Sequence, residues 1–371
     1  MEQTVSMPSS VAVKDPKTVT FNELVLSVLE QKGSDLFLKG GQVPMMKQFS
    51  EIKPVSPEFP VLSDEVAGKL ISGLMDERMK AEFEQYYEFD LGLMVDGRCR
   101  VRTNIYFERG HYALVSRIVP LEIPSLEGLG LPPVLEEVTK YKQGLVLVTG
   151  PTGCGKTTTL AALLDIINRT RKGHIVTVED PLEFVHPDKN CYVSQRELGI
   201  DTKHFQHALR AMLRQAPDVI LIGEMRDSET MGIALQAGET GHLVFSTVHT
   251  ASAYETMDRI VNMFPPHEKH HISQRMANSL KAIIAQKLVP RCDKPGRVAA
   301  NEILICTPTV CKLIEDSHFS DLYHAMNEGE FWGMQTMNQS LLRYYKAGIV
   351  SEEMALLYAG VSSELKQMMR R

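Results

Sequence analysis

The chain contains 371 residues, of which 43% are hydrophobic and 23% are charged. This composition is typical of a globular protein and excludes disordered and collagen-like classes, and at about 150 residues per domain the length predicts two domains, or at most three. Because 40 Lys and Arg face 46 Asp and Glu, the net charge is −6, which disfavours a nucleic-acid-binding protein that relies on excess basic residues.

Export and membrane insertion are also disfavoured. The N-terminal segment does not begin with basic residues followed by an apolar core, and no apolar run approaches the ~18 residues of a membrane span. The six cysteines are scattered without a C-x-x-C pair, which is typical of reduced thiols. We expect a cytoplasmic protein that reaches a membrane only through partners.

The N-terminal part begins without periodicity, and we interpret residues 1–19 as a flexible tail. Thr20 and Glu23 then have the spacing of a capping box, which predicts an amphipathic helix that ends at Gly33. From residue 88 apolar residues alternate with polar ones, and the pattern is interrupted at Asp96-Gly97. This alternation predicts an antiparallel meander, so residues 20–118 form a small α+β domain.

Proline and glycine are frequent over 119–140, which predicts a linker. Beyond it, nearly continuous apolar strands alternate with helical patterns. The predicted strands are 144–149, 174–179, 218–223 and 242–248. Such strands predict a parallel sheet covered on both faces, in an α/β domain over 141–371. From about residue 308 the pattern indicates short helices, a helical cap on this core.

The segment Gly150-Pro151-Thr152-Gly153-Cys154-Gly155-Lys156-Thr157 matches the phosphate-binding loop pattern G-x-x-x-x-G-K-[ST]. It follows an apolar strand and precedes a predicted helix, where glycines allow backbone N–H groups to surround phosphates. Lys156 is expected to contact the terminal phosphates, and the Thr157 hydroxyl to bind Mg²⁺. We expect this segment, with Thr158, to bind ATP.

Carboxylates follow two of the predicted strands. Glu224 comes directly after strand 218–223, the position from which an acid supports Mg²⁺ in such enzymes. Glu179 and Glu183 follow strand 174–179, and either can orient the attacking water. The residues alone leave the choice between them open.

Two histidines flank the last predicted strand. His242 precedes it and His249 follows it. Because the carboxyl ends of parallel strands face the nucleotide crevice, we expect His249 to hydrogen-bond the γ-phosphate or respond to its loss.

These segments together resemble the conserved boxes of the secretion ATPase superfamily. The phosphate-binding loop resembles its Walker A motif, and 177–184, 213–230 and 240–250 resemble its Asp box, Walker B motif and His box. Within the superfamily, the chain from about residue 20 onward is similar to the type IV pilus retraction ATPases. The resemblance implies a homohexamer, with a PAS-like N-terminal domain and a RecA-like P-loop ATPase domain.

The resemblance also implies roles for individual residues. Lys156 corresponds to the Walker lysine and Glu224 to the Walker B glutamate. Glu183 corresponds to the catalytic glutamate, which favours it over Glu179. His242 and the catalytic His249 correspond to the two His-box histidines, which implies that His242 also contributes to nucleotide binding.

The N-terminal domain of this family brings arginines to the ATP phosphates. The matching stretch, 100–117, offers Arg102, Arg109 and Arg117. The resemblance implies that these side chains contact ATP where the two domains and a neighbouring subunit meet.

The C-terminal part indicates a branch within the family. The motif tied to retraction retains only its Leu-Ile centre at 309–316, and the zinc-binding cysteines of extension and type II secretion ATPases are absent. With 280–290, these features favour a PilU-type accessory motor acting with a PilT-like ATPase and a PilC-type platform protein at the inner membrane. The alternatives are an extension or type II secretion ATPase, and a nucleotide-binding regulatory subunit with little turnover.

Overall fold

The computed structural model describes residues 13–48 and 51–370. The chain divides into two compact units, Met1–Glu122 and Ile123–Arg371. Each unit has a hydrophobic core of its own, centred on its sheet. The expected combination of a PAS-like α+β domain and a RecA-like α/β domain is confirmed.

The first unit is built on an antiparallel sheet. Its strands are β1 (Asp35–Lys39), β2 (Met45–Gln48), β3 (Glu51–Pro54), β4 (Glu88–Val95), β5 (Cys99–Glu108) and β6 (His111–Pro120). Its helices are α1 (Phe21–Glu30), α2 (Asp64–Ser72) and α3 (Glu77–Tyr86). In the described residues the strand order is β3-β2-β1-β6-β5-β4, with every neighbouring pair antiparallel.

Local sequence signals account for several of these elements. The predicted capping box is confirmed: the Thr20 side chain accepts from the backbone N–H of Glu23, whose carboxylate accepts from the backbone N–H of Thr20. Arg109-Gly110 forms a turn with φ of 55° and 82°. Positive φ at both positions matches the twist of the flanking strands, which fixes the register of β5 against β6.

The predicted flexible tail is wrong for its last residues. Residues 1–12 lie outside the described part of the chain. Pro16–Thr18 form a 3₁₀ turn capped by Asp15, and the backbone N–H of Lys14 donates to the carbonyl of Glu58 at 2.8 Å. Val19 is buried in the core of the first unit, so burial and capping hold residues that lack periodicity.

The second unit is built on a mostly parallel sheet. Its strands are β7 (Gly144–Thr149), β8 (His174–Glu179), β9 (Tyr192–Glu197), β10 (Val219–Ile222), β11 (Leu243–Val248), β12 (Leu280–Pro290) and β13 (Arg297–Ile305). In the described residues their order is β13-β12-β7-β11-β10-β8-β9. Only the pair of β12 and β13 is antiparallel there.

Helices cover this sheet. They are α4 (Val134–Val138), α5 (Lys156–Thr170), α6 (Phe205–Met212), α7 (Ser228–Glu239), α8 (Ala253–Asn262), α9 (Lys269–Ser279), α10 (Pro308–Glu315), α11 (Leu322–Glu328), α12 (Met337–Lys346), α13 (Glu352–Tyr358) and α14 (Ser362–Arg370). Strands β7, β10 and β11 are buried along their whole length. This burial explains why their sequences are continuously apolar.

The linker expected over 119–140 differs from the structure. Residues up to Pro120 complete strand β6, and the chain from Ile123 onward belongs to the second unit. Leu135 and Val138 of helix α4 are buried in the core of that unit. Most of this proline-containing stretch is therefore a packed part of the second unit.

The expected helical cap is confirmed, and it has a small core of its own. Helices α12 to α14 pack Met337, Leu341 and Leu365 against Val289 and Val298 of strands β12 and β13. The cap is thereby attached to the same strand that borders β7.

The helices in the described part of the chain are too short or too polar to span a membrane. Helix α5 is the longest of them, with 15 residues. A membrane-spanning helix needs about 20 predominantly apolar residues.

Candidate active site

The phosphate-binding loop begins where strand β7 ends. Its glycines Gly150, Gly153 and Gly155 have φ of 142°, 76° and 89°, a region that other residues rarely adopt. A β-carbon at Gly150 would also lie 2.4 Å from the backbone oxygen of Gln286 in β12. Backbone conformation and close packing therefore both require glycine at the start of the loop.

The loop leads directly into helix α5. Gly155 occupies the position before the first turn, and no side chain caps that turn. The first N–H groups of a helix lack intrahelical partners, and the helix dipole makes this end positive. The loop and helix thus present N–H donors and positive potential to an anion, as phosphate binding requires.

Lys156 lies inside this loop. Its side chain is buried, and its Nζ donates to the carbonyl oxygens of Gly150 at 2.8 Å and Pro151 at 3.1 Å. These carbonyls stabilise the ammonium group where it borders the cavity. Phosphate oxygens carry more negative charge than carbonyls, so a bound triphosphate can replace them as partners.

A cavity of about 400 Å³ brings the four sequence boxes together. It opens at the carboxyl ends of β7, β8, β10 and β11, the edge at which parallel sheets bind ligands. Its lining includes Thr152, Gly153, Gly155, Lys156, Thr157, Thr158, Glu179, Asp180, Glu183, Gly223, Glu224, Thr247, His249, Leu288 and Arg297. The size and polarity suit a nucleotide, whose phosphates meet the loop at one end.

Glu224 lies between two basic side chains. Its Oε1 is 3.2 Å from Nε2 of His249, and its Oε2 is 2.9 Å from Nε of Arg226. Strands β10 and β11 are parallel neighbours, so the residues that follow them meet at one edge. The contact between Glu224 and His249, which was not predicted, therefore follows from strand register.

The cavity also contains suitable oxygen ligands for a magnesium ion. The Thr157 hydroxyl and the Glu224 carboxylate both line it. Mg²⁺ prefers such oxygen donors and is bound by few protein groups together with substrate phosphates and water. These two residues fit that requirement.

The structure separates the environments of Glu179 and Glu183. Glu179 is buried and accepts hydrogen bonds from Thr177 Oγ1 at 2.6 Å and Gln195 Nε2 at 3.3 Å. Burial raises the pKa of Glu179 to about 7, although the two hydrogen bonds oppose the shift. Glu183 is exposed and lines the same cavity, so only Glu183 combines contact with the cavity and access to water.

Gln195 of β9 connects Glu179 to the loop that carries Glu183. Its amide also donates to the carbonyl of Phe184 at 2.9 Å and accepts from the backbone N–H of His186 at 2.7 Å. The residues alone gave no indication of this role, because strand β9 is polar and was not predicted. Two hydrogen bonds thus hold the loop beside β9, and the third connects Gln195 to Glu179.

Arg297 and Leu288 line the cavity without having been predicted. Arg297 is exposed at the start of β13, and Leu288 lies near the end of β12. The Gly296-Arg297 pair at the end of a polar turn was the available sequence signal. Predicting its position required recognising β12 as the strand beside β7 and β13 as the strand beside β12.

The structure does not bring His242 to this cavity. His242 precedes β11, and its Nδ1 lies 3.0 Å from the carbonyl oxygen of Ala237. His249 follows the same strand at its other end. At ~3.3 Å per residue the seven-residue separation places the two histidines roughly 23 Å apart, so within one chain they belong to different sites.

The predicted arginines lie in two places within the first unit. Arg102 and Arg117 face each other across β5 and β6, and both are exposed. Arg117 Nε lies 3.1 Å from Oδ1 of Asp35. Arg109 lies in the hairpin turn, seven residues from Arg102, or roughly 24 Å along the strand. Arg102 and Arg117 can therefore share one anion, whereas Arg109 lies too far along the hairpin to join them.

The fold and the cavity together define a P-loop nucleoside triphosphatase with a RecA-like core. The chain also matches the sequence model of the family described as Type II/IV secretion system protein, over residues 123–339. This match covers more than half of the chain.

Individual relatives match most of the chain. It is 42% identical to the type IV pilus retraction ATPase PilT of Pseudomonas aeruginosa over 90% of this chain and 96% of that protein. It is 38% identical to the type IV pilus ATPase PilU of the same organism over 94% of this chain and 91% of that protein. A crystal structure of the pilus retraction motor PilT with bound ADP matches with a TM-score of 0.88 and 40% identity, covering 94% of this chain and all of that one.

The chain is an ATPase that belongs to the type IV pilus retraction ATPase family within the Type II/IV secretion system proteins. This finding confirms the family resemblance. The identities of 42% and 38% do not separate the PilT branch from the PilU branch.

The buried Glu179 predicts a pH dependence of stability. Its folded-state pKa of about 7 exceeds the ordinary 4.5, so between these values the folded state binds more protons than the unfolded chain. Stability is therefore lost as the pH rises through this window. Relative to wild type, Glu179→Gln should gain up to about 3 kcal/mol between pH 5 and pH 8, measured by urea unfolding. Parallel pH curves for the two proteins would contradict this, and Glu353→Gln on the surface of α13 is the control.

Arg297 is expected to contribute to ATP binding because it places a positive charge in the cavity. We predict that Arg297→Ala raises the KM for ATP by roughly three- to tenfold, the range of a partly exposed charge-assisted hydrogen bond. Lys294→Ala removes a cation from the same exposed turn outside the cavity lining and is the matched control. Equal KM values for the two variants would remove Arg297 from the binding site.

Proposed function

We propose that this ATPase is a hexameric motor whose ATP hydrolysis powers type IV pilus retraction, and hence twitching motility. The observation that carries the proposal is the cavity in which Lys156, Glu183, Glu224 and His249 meet beside the phosphate-binding loop. The similarity to proteins named as pilus retraction ATPases supports the direction of work.

The proposed reaction begins with binding of the triphosphate to the loop. The N–H groups of the loop and of helix α5 hold the phosphates, and the Lys156 ammonium moves from the carbonyls of Gly150 and Pro151 to the terminal phosphates. Thr157 and Glu224 would hold a magnesium ion, which would supply positive charge to offset the charge developing on the phosphate oxygens.

Glu183 then orients and polarises the attacking water. Its carboxylate is exposed at the cavity, as a group that receives a proton from water must be. Glu179, with a pKa near neutrality and a buried carboxylate, supports the loop from behind. His249 transmits the loss of the γ-phosphate through its contact with Glu224.

The arginines complete the proposed motor. Arg102 and Arg117 form a cationic pair that suits an anion such as the ATP phosphates. Loss of the γ-phosphate removes charge that holds this pair and frees the first unit to move. Arg109 lies too far along the hairpin to contact the same phosphate.

We further propose a PilU-type role, in which the hexamer acts with a PilT-like ATPase. Its work would pass to a PilC-type platform protein, so that the motor lies at the cytoplasmic side of the inner membrane. The incomplete retraction motif at 309–316, which lies in helix α10, favours an accessory motor.

The chemistry is tested by steady-state phosphate release. Lys156→Ala should abolish detectable turnover, because no other lysine lines the described cavity. Glu183→Gln should lower kcat by about 10²- to 10⁴-fold, the usual contribution of a positioned base, while ATP binding remains. Glu353→Gln is the control for loss of a surface carboxylate. Undiminished turnover in Glu183→Gln would exclude it as the base.

The cellular role is tested by deleting the gene in a piliated cell, alone and together with the gene for the PilT-like ATPase. An accessory motor predicts weakened retraction in the first strain and no retraction when only this chain remains. Loss of pili in the first strain would instead indicate an extension ATPase. Absence of phosphate release by the purified protein, alone and with its PilT-like partner, would indicate a regulatory subunit.

A further inference from the structure

Gln286 is a buried polar residue in the strand next to the phosphate-binding loop. It lies in β12, is 2% exposed, and does not line the nucleotide cavity. Its Nε2 donates to the backbone carbonyl of Cys154 at 2.6 Å, and its Oε1 accepts from Thr159 Oγ1 at 2.8 Å. One amide thus binds the middle of the loop and the first turns of helix α5.

The same residue limits the loop at its two outer glycines. The Gln286 backbone oxygen occupies the space beside Gly150, and its Nε2 lies 2.9 Å from where a β-carbon of Gly155 would be. Gln286 therefore packs closely against the beginning and end of the loop and hydrogen-bonds its middle. Outside the loop and α5, the atoms nearest to these two β-carbon positions belong to Gln286.

The orientation of this amide is fixed by further contacts. Asn301 Nδ2 donates to Gln286 Oε1 at 3.1 Å, and the Asn301 backbone N–H donates to Ser340 Oγ of α12 at 3.1 Å. The Gln335 amide donates to the Asn301 carbonyl at 2.9 Å. Because the acceptor side is taken by Thr159 and Asn301, the donor side must face the loop.

The energetics make the contact important for loop shape. Cys154 and Thr159 are buried, so each loses a partner that water cannot easily replace if the amide is removed. The loop then gains freedom to leave the conformation in which its N–H groups converge on a phosphate. Misplacement of these N–H groups weakens ATP binding, whereas the catalytic side chains of the site remain present.

We propose that Gln286 is a positioning residue that holds the phosphate-binding loop in its ATP-receiving conformation without touching the nucleotide. The inference rests on ATP binding at this loop. Whether the motor drives retraction does not affect it, because the test below measures binding and turnover of the purified full-length protein.

The test is Gln286→Met, which keeps the approximate length of the side chain and removes the donor and the acceptor. We expect the KM for ATP to rise about tenfold while kcat changes by no more than about threefold, since the catalytic groups remain. The stabilisation of the protein by ADP against thermal unfolding should fall in parallel. A purely structural role would lower the folded fraction, and hence kcat, with KM unchanged.

Ser273→Ala is the matched control. Ser273 of α9 is buried and its Oγ lies 3.0 Å from Ser317 Oγ, so the variant loses a buried hydrogen bond away from the loop. It should leave the KM for ATP within about twofold of wild type.

A second variant keeps the inference testable if Gln286→Met does not fold. Thr159→Val retains the shape of the side chain and removes one of the bonds that orient the amide. We expect it to raise the KM for ATP about threefold. A wild-type KM in Gln286→Met, or in Thr159→Val where only that variant folds, would overturn the proposal.

Discussion

The close approach of the phosphate-binding loop to strand β12 is the constraint on which the nucleotide site depends. Gly150 has no side chain because the backbone of Gln286 occupies the space where a β-carbon would lie. This contact sets the direction in which the chain leaves β7, and therefore where helix α5 begins and where Lys156 points. The parallel register of β7 with β11, and of β11 with β10, then brings His249 and Glu224 to the same edge.

The carboxylates at that edge differ in burial, and this difference suits them to different roles. Glu179 is enclosed, and desolvation moves its pKa to about 7, so it acts best as a support that hydrogen-bonds its surroundings. Glu224 lies between His249 and Arg226 and lines the cavity, in a position suited to a cation. Glu183 is exposed at the cavity, whereas Glu179 is buried and Glu224 is partly buried. The family resemblance chose Glu183 over Glu179, and solvent access gives a physical reason for that choice.

The sequence predicted the features that depend on local patterns. The strands over 144–149, 174–179, 218–223 and 242–248 could be recognised because both of their faces are buried, and the loop because its glycines and lysine have fixed spacing. Contacts between distant segments could not be recognised. Strands β9, β12 and β13 carry polar residues among apolar ones, so they were not recognised as strands. The order of strands in the sheet, which could not be predicted without them, is what places Gln195, Gln286 and Arg297 at or beside the site. The location of His242 away from the cavity follows from its place before β11, because the carboxyl ends of parallel strands face the nucleotide crevice.

The arginine pair in the first unit is the feature that local energetics explain least. Like charges directly opposite on neighbouring strands destabilise a sheet, yet Arg102 and Arg117 face each other and remain exposed. The contact of Arg117 with Asp35 offsets part of this repulsion but leaves Arg102 uncompensated by that carboxylate. An anion bound by both side chains would convert the repulsion into a binding energy. The cost of the pair in the free protein is therefore an argument that it serves an anionic ligand.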